Sequence, residues 1–258
     1  MKRAQKTQSE FIKKEKFQRQ QFPVLLPKND NQKEFFEMLK YSTIAVAQGS
    51  AGSGKTMISC WHAAKKLHYG DIKKIVLIRA YQPLAGRTIG LLPGSALEKL
   101  FPFYQQMIDY LEDFLGKATV DIHLKQGSIE ICSLETIRGR SWNDAICIVD
   151  EAQNLYVPEV QALTTRLGEN SQMIFCGDNS GVQTDVKNGM DGLQYLYSLV
   201  QKYGIPDVEF VNFTRDDICR SGITRDFVIA FEEELKADLD GSAIISKQEV
   251  DKQFKKHR

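Results

Sequence analysis

Eight consecutive residues, Gly49-Ser50-Ala51-Gly52-Ser53-Gly54-Lys55-Thr56, carry the first chemical signal in the chain. The pattern GxxxxGK[ST] is a phosphate cradle. Small residues let the backbone wrap a phosphate closely, and successive N–H groups point into the loop. The N-terminus of a following helix adds positive partial charge. In such a loop the lysine, here Lys55, reaches the β- and γ-phosphates of a nucleoside triphosphate, and the Thr56 hydroxyl ligates Mg²⁺. A second signal is Ile146-Cys147-Ile148-Val149-Asp150-Glu151, four apolar residues ending in two carboxylates. Open α/β sheets place their ligands at the C-terminal ends of strands. Asp150 is expected to hold Mg²⁺, directly or through water, and Glu151 to activate the attacking water as general base. A third signal is Ile174-Phe175-Cys176-Gly177-Asp178. It puts Asp178 where nucleic-acid-dependent ATPases sense the γ-phosphate; a plain Gly-Asp turn is the alternative.

The elements that must position these residues alternate. Apolar, β-branched runs predict strands over 42–47, 73–79, 129–133, 145–149, 172–176 and 208–213. Between them, helical periodicity predicts helices over 29–40, 56–68, 95–115, 158–167, 189–203 and 224–236. Asn29 or Asp30 supplies the first N-cap, and Pro102 is expected to break or kink the helix that contains it. Strands and helices in this alternation predict an α/β fold, a mostly parallel sheet with helices on both faces. The phosphate loop follows a predicted strand and opens a predicted helix, the context its chemistry requires.

Composition sets the boundaries. The chain has 258 residues, 42% apolar and 26% charged. That suits one sizeable core with short appendages. The expected division is a basic N-terminal extension over 1–22, an ATPase core over 23–240 and a basic tail over 241–258. No apolar run approaches the ~20 residues of a membrane span, and no secretory signal is legible. The five cysteines are scattered and none forms a CxxC pair, which predicts a reducing, cytoplasmic setting and no zinc site. The net charge of +1 is uneven: Lys and Arg outnumber Asp and Glu over both 1–20 and 247–258, so the body between is acidic. Such ends either solubilise the chain or attract phosphate backbones.

Beyond single motifs, the chain carries Arg79, Gly86-Arg87, Gly90-Leu91-Leu92-Pro93-Gly94, Arg138-Gly139-Arg140-Ser141, Asp150-Glu151-Ala152-Gln153-Asn154, Thr165-Arg166-Leu167-Gly168, Gly177-Asp178 and Asp217-Ile218-Cys219-Arg220, in that order. With the phosphate loop, this set resembles the PhoH-like family of P-loop ATPases over roughly residues 27–236, a family similar to one half of a superfamily 1 helicase. The resemblance implies a single RecA-like core, ATP and Mg²⁺ as ligands, and the compact phage or bacterial type. Two departures stand out. Gln183 falls two positions later than the family's glutamine after Gly-Asp, and Arg79 is followed by Ala80-Tyr81 rather than proline. Gln32 stands where helicases carry an adenine-reading glutamine.

One core lacks the arginine a second lobe would supply. A homo-oligomeric ring, a hexamer, is therefore expected, with Arg220 or Arg166 inserted in trans; ordinary ion pairs are the alternative for each. The helicase-like motif set and the basic ends make single-stranded RNA or DNA the expected partner, with Arg79, Arg87, Arg138 and Arg140 as candidate contacts. Three rival readings remain: a small-molecule phosphotransferase, a nucleotide-dependent binding switch with little turnover, and a ribonuclease.

Overall fold

In the computed structural model, residues 21–80, 96–178 and 192–239 are described. Six strands, β1 (Ile44–Gly49), β2 (Lys74–Arg79), β3 (Ile129–Cys132), β4 (Ala145–Asp150), β5 (Gln172–Gly177) and β6 (Val208–Phe213), form one sheet in the order β3-β2-β4-β5-β1-β6. Every pairing is parallel. The inner strands are buried on both faces, which is why they read as unbroken apolar runs rather than as alternation. The seven α-helices among the described residues are α1 (Asp30–Tyr41), α2 (Lys55–Tyr69), α3 (Ala96–Leu115), α4 (Lys117–Gln126), α5 (Val157–Thr164), α6 (Gly192–Tyr203) and α7 (Ile223–Leu239). This is an α/β, RecA-like arrangement.

Successive strand residues feed opposite cores. Ala45, Ile75, Leu77, Ile148 and Ile174 pack with Phe35, Ile58, Met107 and Leu111 of α1, α2 and α3. Val46, Val76, Val149 and Phe175 pack with Val160, Leu163, Leu193 and Leu196 of α5 and α6. The period of two in a strand makes this division automatic.

The order of strands decides where the chemistry meets. β5 lies between β1 and β4, and register places Val46, Phe175 and Val149 abreast. The phosphate loop, Gly177-Asp178 and the acid pair therefore leave one edge of the sheet side by side.

Asn29 caps α1, its side chain accepting from Gln32 N–H. Of the break or kink expected at Pro102, the break is a correction: α3 runs continuously from Ala96 through Pro102 to Leu115. Helix α4 is an addition to the sequence reading. Its ten residues bury Val120 alone, so no apolar stripe announces it; Gly116 and Gly127, both at positive φ, bound it. Arg87, Gly90 to Gly94, Gln183, residues 1–20 and residues 241–258 lie outside the described residues, whereas Phe22, expected in the N-terminal extension, is buried in the core.

Candidate nucleotide site

β1 ends on Gly49, whose φ is 131°. A Cβ there would come 1.8 Å from the Phe213 carbonyl oxygen, so the close passage of β6 demands glycine. Gly54, at φ 92°, starts α2 against the Gln32 amide, 3.1 Å from where its Cβ would lie. The Lys55 ammonium folds into the loop. It donates to Gly49 O at 2.7 Å, Ser50 O at 2.9 Å and Ser53 Oγ at 3.1 Å. Burial drags the Lys55 pKa below its ordinary value, and the Asp178 carboxylate pulls part of it back.

Opposite the loop, Thr56 Oγ1 donates to Asp150 Oδ1 at 2.8 Å. Asp150 is buried, and its Oδ2 has no hydrogen-bond partner among the described residues. Burial, reinforced by the neighbouring Glu151 charge, pushes the Asp150 pKa up. A hydroxyl and a buried carboxylate, whose Oδ2 has Arg79 Nη1 3.4 Å away and accepts no hydrogen bond among the described residues, make a hard, all-oxygen donor set that fits Mg²⁺. Glu151 follows at φ 54° and ψ 36°, a left-handed turn at the strand end. Its Oε1 lies 3.0 Å from Arg79 Nη2, and its Oε2 accepts from Gln153 Nε2 at 2.6 Å. Gln153 Oε1 accepts in turn from Asp178 N–H at 2.9 Å.

Lys55, Thr56, Asp150, Glu151, Gly177 and Asp178 line one cavity of about 140 Å³ with Ala51, Gly52, Gln106 and Arg220. A second cavity of about 220 Å³ shares Gly52, Lys55, Thr56, Gln106 and Arg220 with it and extends over Met57, Tyr110, Lys28 and Cys219. Gln106 and Tyr110 belong to α3, and no sequence pattern singles them out. Gln153 was legible as a motif member, without a role.

The structure relocates several expected residues. Arg220, expected to reach a neighbouring subunit, lies on its own loop: a Cβ on Gly52 would meet its side chain at 3.0 to 3.1 Å. Asp217 places it there. Its Oδ2 accepts from Asn31 Nδ2 and Thr214 N–H, both at 2.7 Å, and two residues later Cys219 N–H donates to Gly52 O. Arg166 is remote from its own site. Its carbonyl accepts from Trp142 N–H ahead of β4, at the N-terminal end of the strands and so opposite the site. Gln32 is buried, with Nε2 donating to Ser53 O at 2.9 Å and Oε1 accepting from Lys28 N–H at 2.8 Å. Its amide thereby braces the phosphate loop. Arg79, expected in a nucleic-acid-tracking loop, instead turns onto the acid pair. Arg140 is ion-paired with Glu130, while Arg138 is exposed.

The family model for PhoH-like protein matches residues 24–232. The chain is 33% identical over 208 residues to a PhoH-like protein of Bacillus subtilis, covering 80% of this chain and 64% of the relative. It is 32% identical over 202 residues to Protein PhoH of Escherichia coli K12, covering 77% and 56%. It thus spans less than two thirds of the length of either relative. Among solved structures, the Sulfolobus solfataricus SWI2/SNF2 ATPase core domain is a loose likeness, at 13% identity and TM-score 0.40, covering 76% of this chain and 46% of that one.

Proposed function

The chain belongs to the PhoH-like family, and from that premise we propose that it hydrolyses ATP with Mg²⁺ and couples turnover to single-stranded RNA or DNA. The observation that carries this reading is the convergence of Lys55, Thr56, Asp150 and Glu151 on one cavity at the strand ends.

Each group has a task. The loop amides and Lys55 bind the phosphates, with phosphate oxygens taking the place of the three loop acceptors that now hold the ammonium. Thr56 Oγ1 and Asp150 would hold Mg²⁺, which would supply positive charge to the phosphates. Glu151 takes a proton from the attacking water. Arg220, in cis over Gly52, offers a cation to the phosphates. Arg166 lies a strand length from its own site, roughly 20 Å for six residues, so its use as a finger requires a neighbouring subunit. That is the support for a ring. Hexameric order is the form we propose, and a cytoplasmic setting goes with it.

Support for the nucleic-acid partner is the family's motif set, the basic ends and exposed Arg138. Among the described residues, no helix is long and apolar enough to cross a membrane.

The test is ATP hydrolysis by the purified protein with Mg²⁺, with and without single-stranded RNA and DNA, beside Lys55→Ala and Glu151→Gln. Turnover that rises with nucleic acid and disappears in both variants supports the proposal. Turnover indifferent to nucleic acid removes the coupling and keeps the ATPase. Tight binding without turnover makes the site a switch.

A further inference from the structure

Arg79 closes β2, and the β2–β4 register sets it opposite Asp150. Paired residues on neighbouring strands project to the same face, so its side chain emerges beside the acids. Nη2 lies 3.0 Å from Glu151 Oε1, and Nη1 lies 3.4 Å from Asp150 Oδ2. Nη1 also donates to Phe103 O of α3 at 2.8 Å. One planar fork thereby ties both acids to a helix, a geometry a lysine ammonium does not reproduce. The Arg79 side chain is 20% exposed, so water and salt screen these contacts less than they do a surface pair.

The guanidinium sets where this base faces: each Glu151 oxygen keeps a second lone pair, but Oε1 is drawn onto Arg79. A general base must turn a lone pair to the water it deprotonates. Arg79 holds Oε1 turned towards itself, while Gln153 steadies the carboxylate through Oε2. We propose that Arg79 is a positioning residue that withholds Glu151, anchored by the Phe103 carbonyl, and that displacement of α3 by an entering nucleotide releases it. The proposal rests on the reading of Glu151 as general base. Helix α3 packs on α2, the helix opened by the phosphate loop, and Gln106, one turn on from Phe103, lines the nucleotide cavity. A ligand entering that cavity therefore meets the same turn of helix that anchors the clamp.

The experiment compares wild type, Arg79→Ala, Arg79→Lys, Glu151→Gln and the Arg79→Ala/Glu151→Gln double variant, all as the full chain with Mg²⁺ and ATP and without nucleic acid. Nucleotide affinity is read in parallel with a fluorescent ATP analogue. Arg79→Ala is expected to raise kcat about five- to tenfold, equivalent to a loss of roughly 1 to 1.4 kcal/mol of restraint. KM and affinity should stay within about twofold. Millimolar guanidinium ion should bring the Arg79→Ala rate back toward wild type, Arg79→Lys should fall between, and the double variant should be silent. A merely structural role would move affinity with rate and ignore guanidinium. Arg79→Ala that binds nucleotide normally and turns over no faster, beside a silent Glu151→Gln, overturns the clamp alone. If Arg79→Ala loses nucleotide affinity, Arg79→Lys decides, and a rate at or below wild type overturns it. Turnover that survives Glu151→Gln, or silence in every protein, overturns the general-base reading and the clamp with it.

Discussion

Gln153 Nε2 donates a 2.6 Å hydrogen bond to Glu151 Oε2. The same amide accepts from Asp178 N–H through Oε1, so one side chain joins the end of β4 to the end of β5. Glu151 sits in a left-handed conformation that a non-glycine residue keeps only where its surroundings hold it. Gln153 is such a hold, and it makes the strand end near the phosphates and the candidate base one mechanical unit.

Truncating that link should therefore cost rate rather than binding. Gln153→Ala is expected to lower kcat about tenfold, the equivalent of one lost positioning hydrogen bond. Nucleotide affinity should stay within about twofold. Steady-state ATPase kinetics beside an equilibrium titration check this, and an unchanged kcat would remove Gln153 from the machinery.

Lys55 sits where folding alone would not put a charge. Burial lowers its pKa, so the folded loop holds this ammonium against a desolvation cost. Lys55→Met should abolish nucleotide binding while leaving the Tm of the free protein at or above wild type. A Tm several degrees lower would show that the three loop hydrogen bonds outweigh the desolvation.

Stability should depend on pH through His62. The imidazole is buried in α2 against Gln172, 3.0 Å away, and burial first, then the Lys66 charge, depress its pKa from 6.5 to about 4. Between those values the unfolded chain binds the proton and the folded chain does not, so stability falls as pH drops from 6.5 towards 4. The loss is about 2 kcal/mol at pH 5 and saturates below pH 4. His62→Gln should flatten this part of the profile. Urea unfolding of both proteins at pH 5 and 7.5 gives the difference, and parallel profiles would show that His62 does not titrate this way.

The two candidate finger arginines separate by complementation. Arg166→Ala keeps an intact phosphate loop, and Lys55→Ala keeps an intact Arg166. If Arg166 acts in trans, mixed rings of these two silent proteins regain activity at about a quarter of their sites, by random neighbour pairing. Arg220 lies on its own loop, so Arg220→Ala mixed with Lys55→Ala should regain none. Recovery in the second mixture and not the first would reverse the assignments.

Local sequence determined the elements and the order of the chemical groups. The four inner strands were legible because burial on both faces writes itself as an unbroken apolar stretch, while the edge strands β3 and β6 are partly exposed and interrupt their apolar residues with polar ones. The glycines of 49–54 and the dipeptide Asp150-Glu151 are contiguous, so spacing alone made them legible. Helix α4 escaped because a helix burying one side chain leaves no period to read. Side-chain direction was decided by the tertiary structure alone. Arg79 turns to the acids because the β2–β4 register, between segments some 70 residues apart, sets it opposite Asp150. Arg220 lies over its own loop because Asp217 is tethered to Asn31, 186 residues away in sequence. Gln32 braces Ser53 because α1 packs where the loop turns into α2. A residue's type and neighbours along the chain set what chemistry it can do, whereas register and packing between distant segments set which group it does it to.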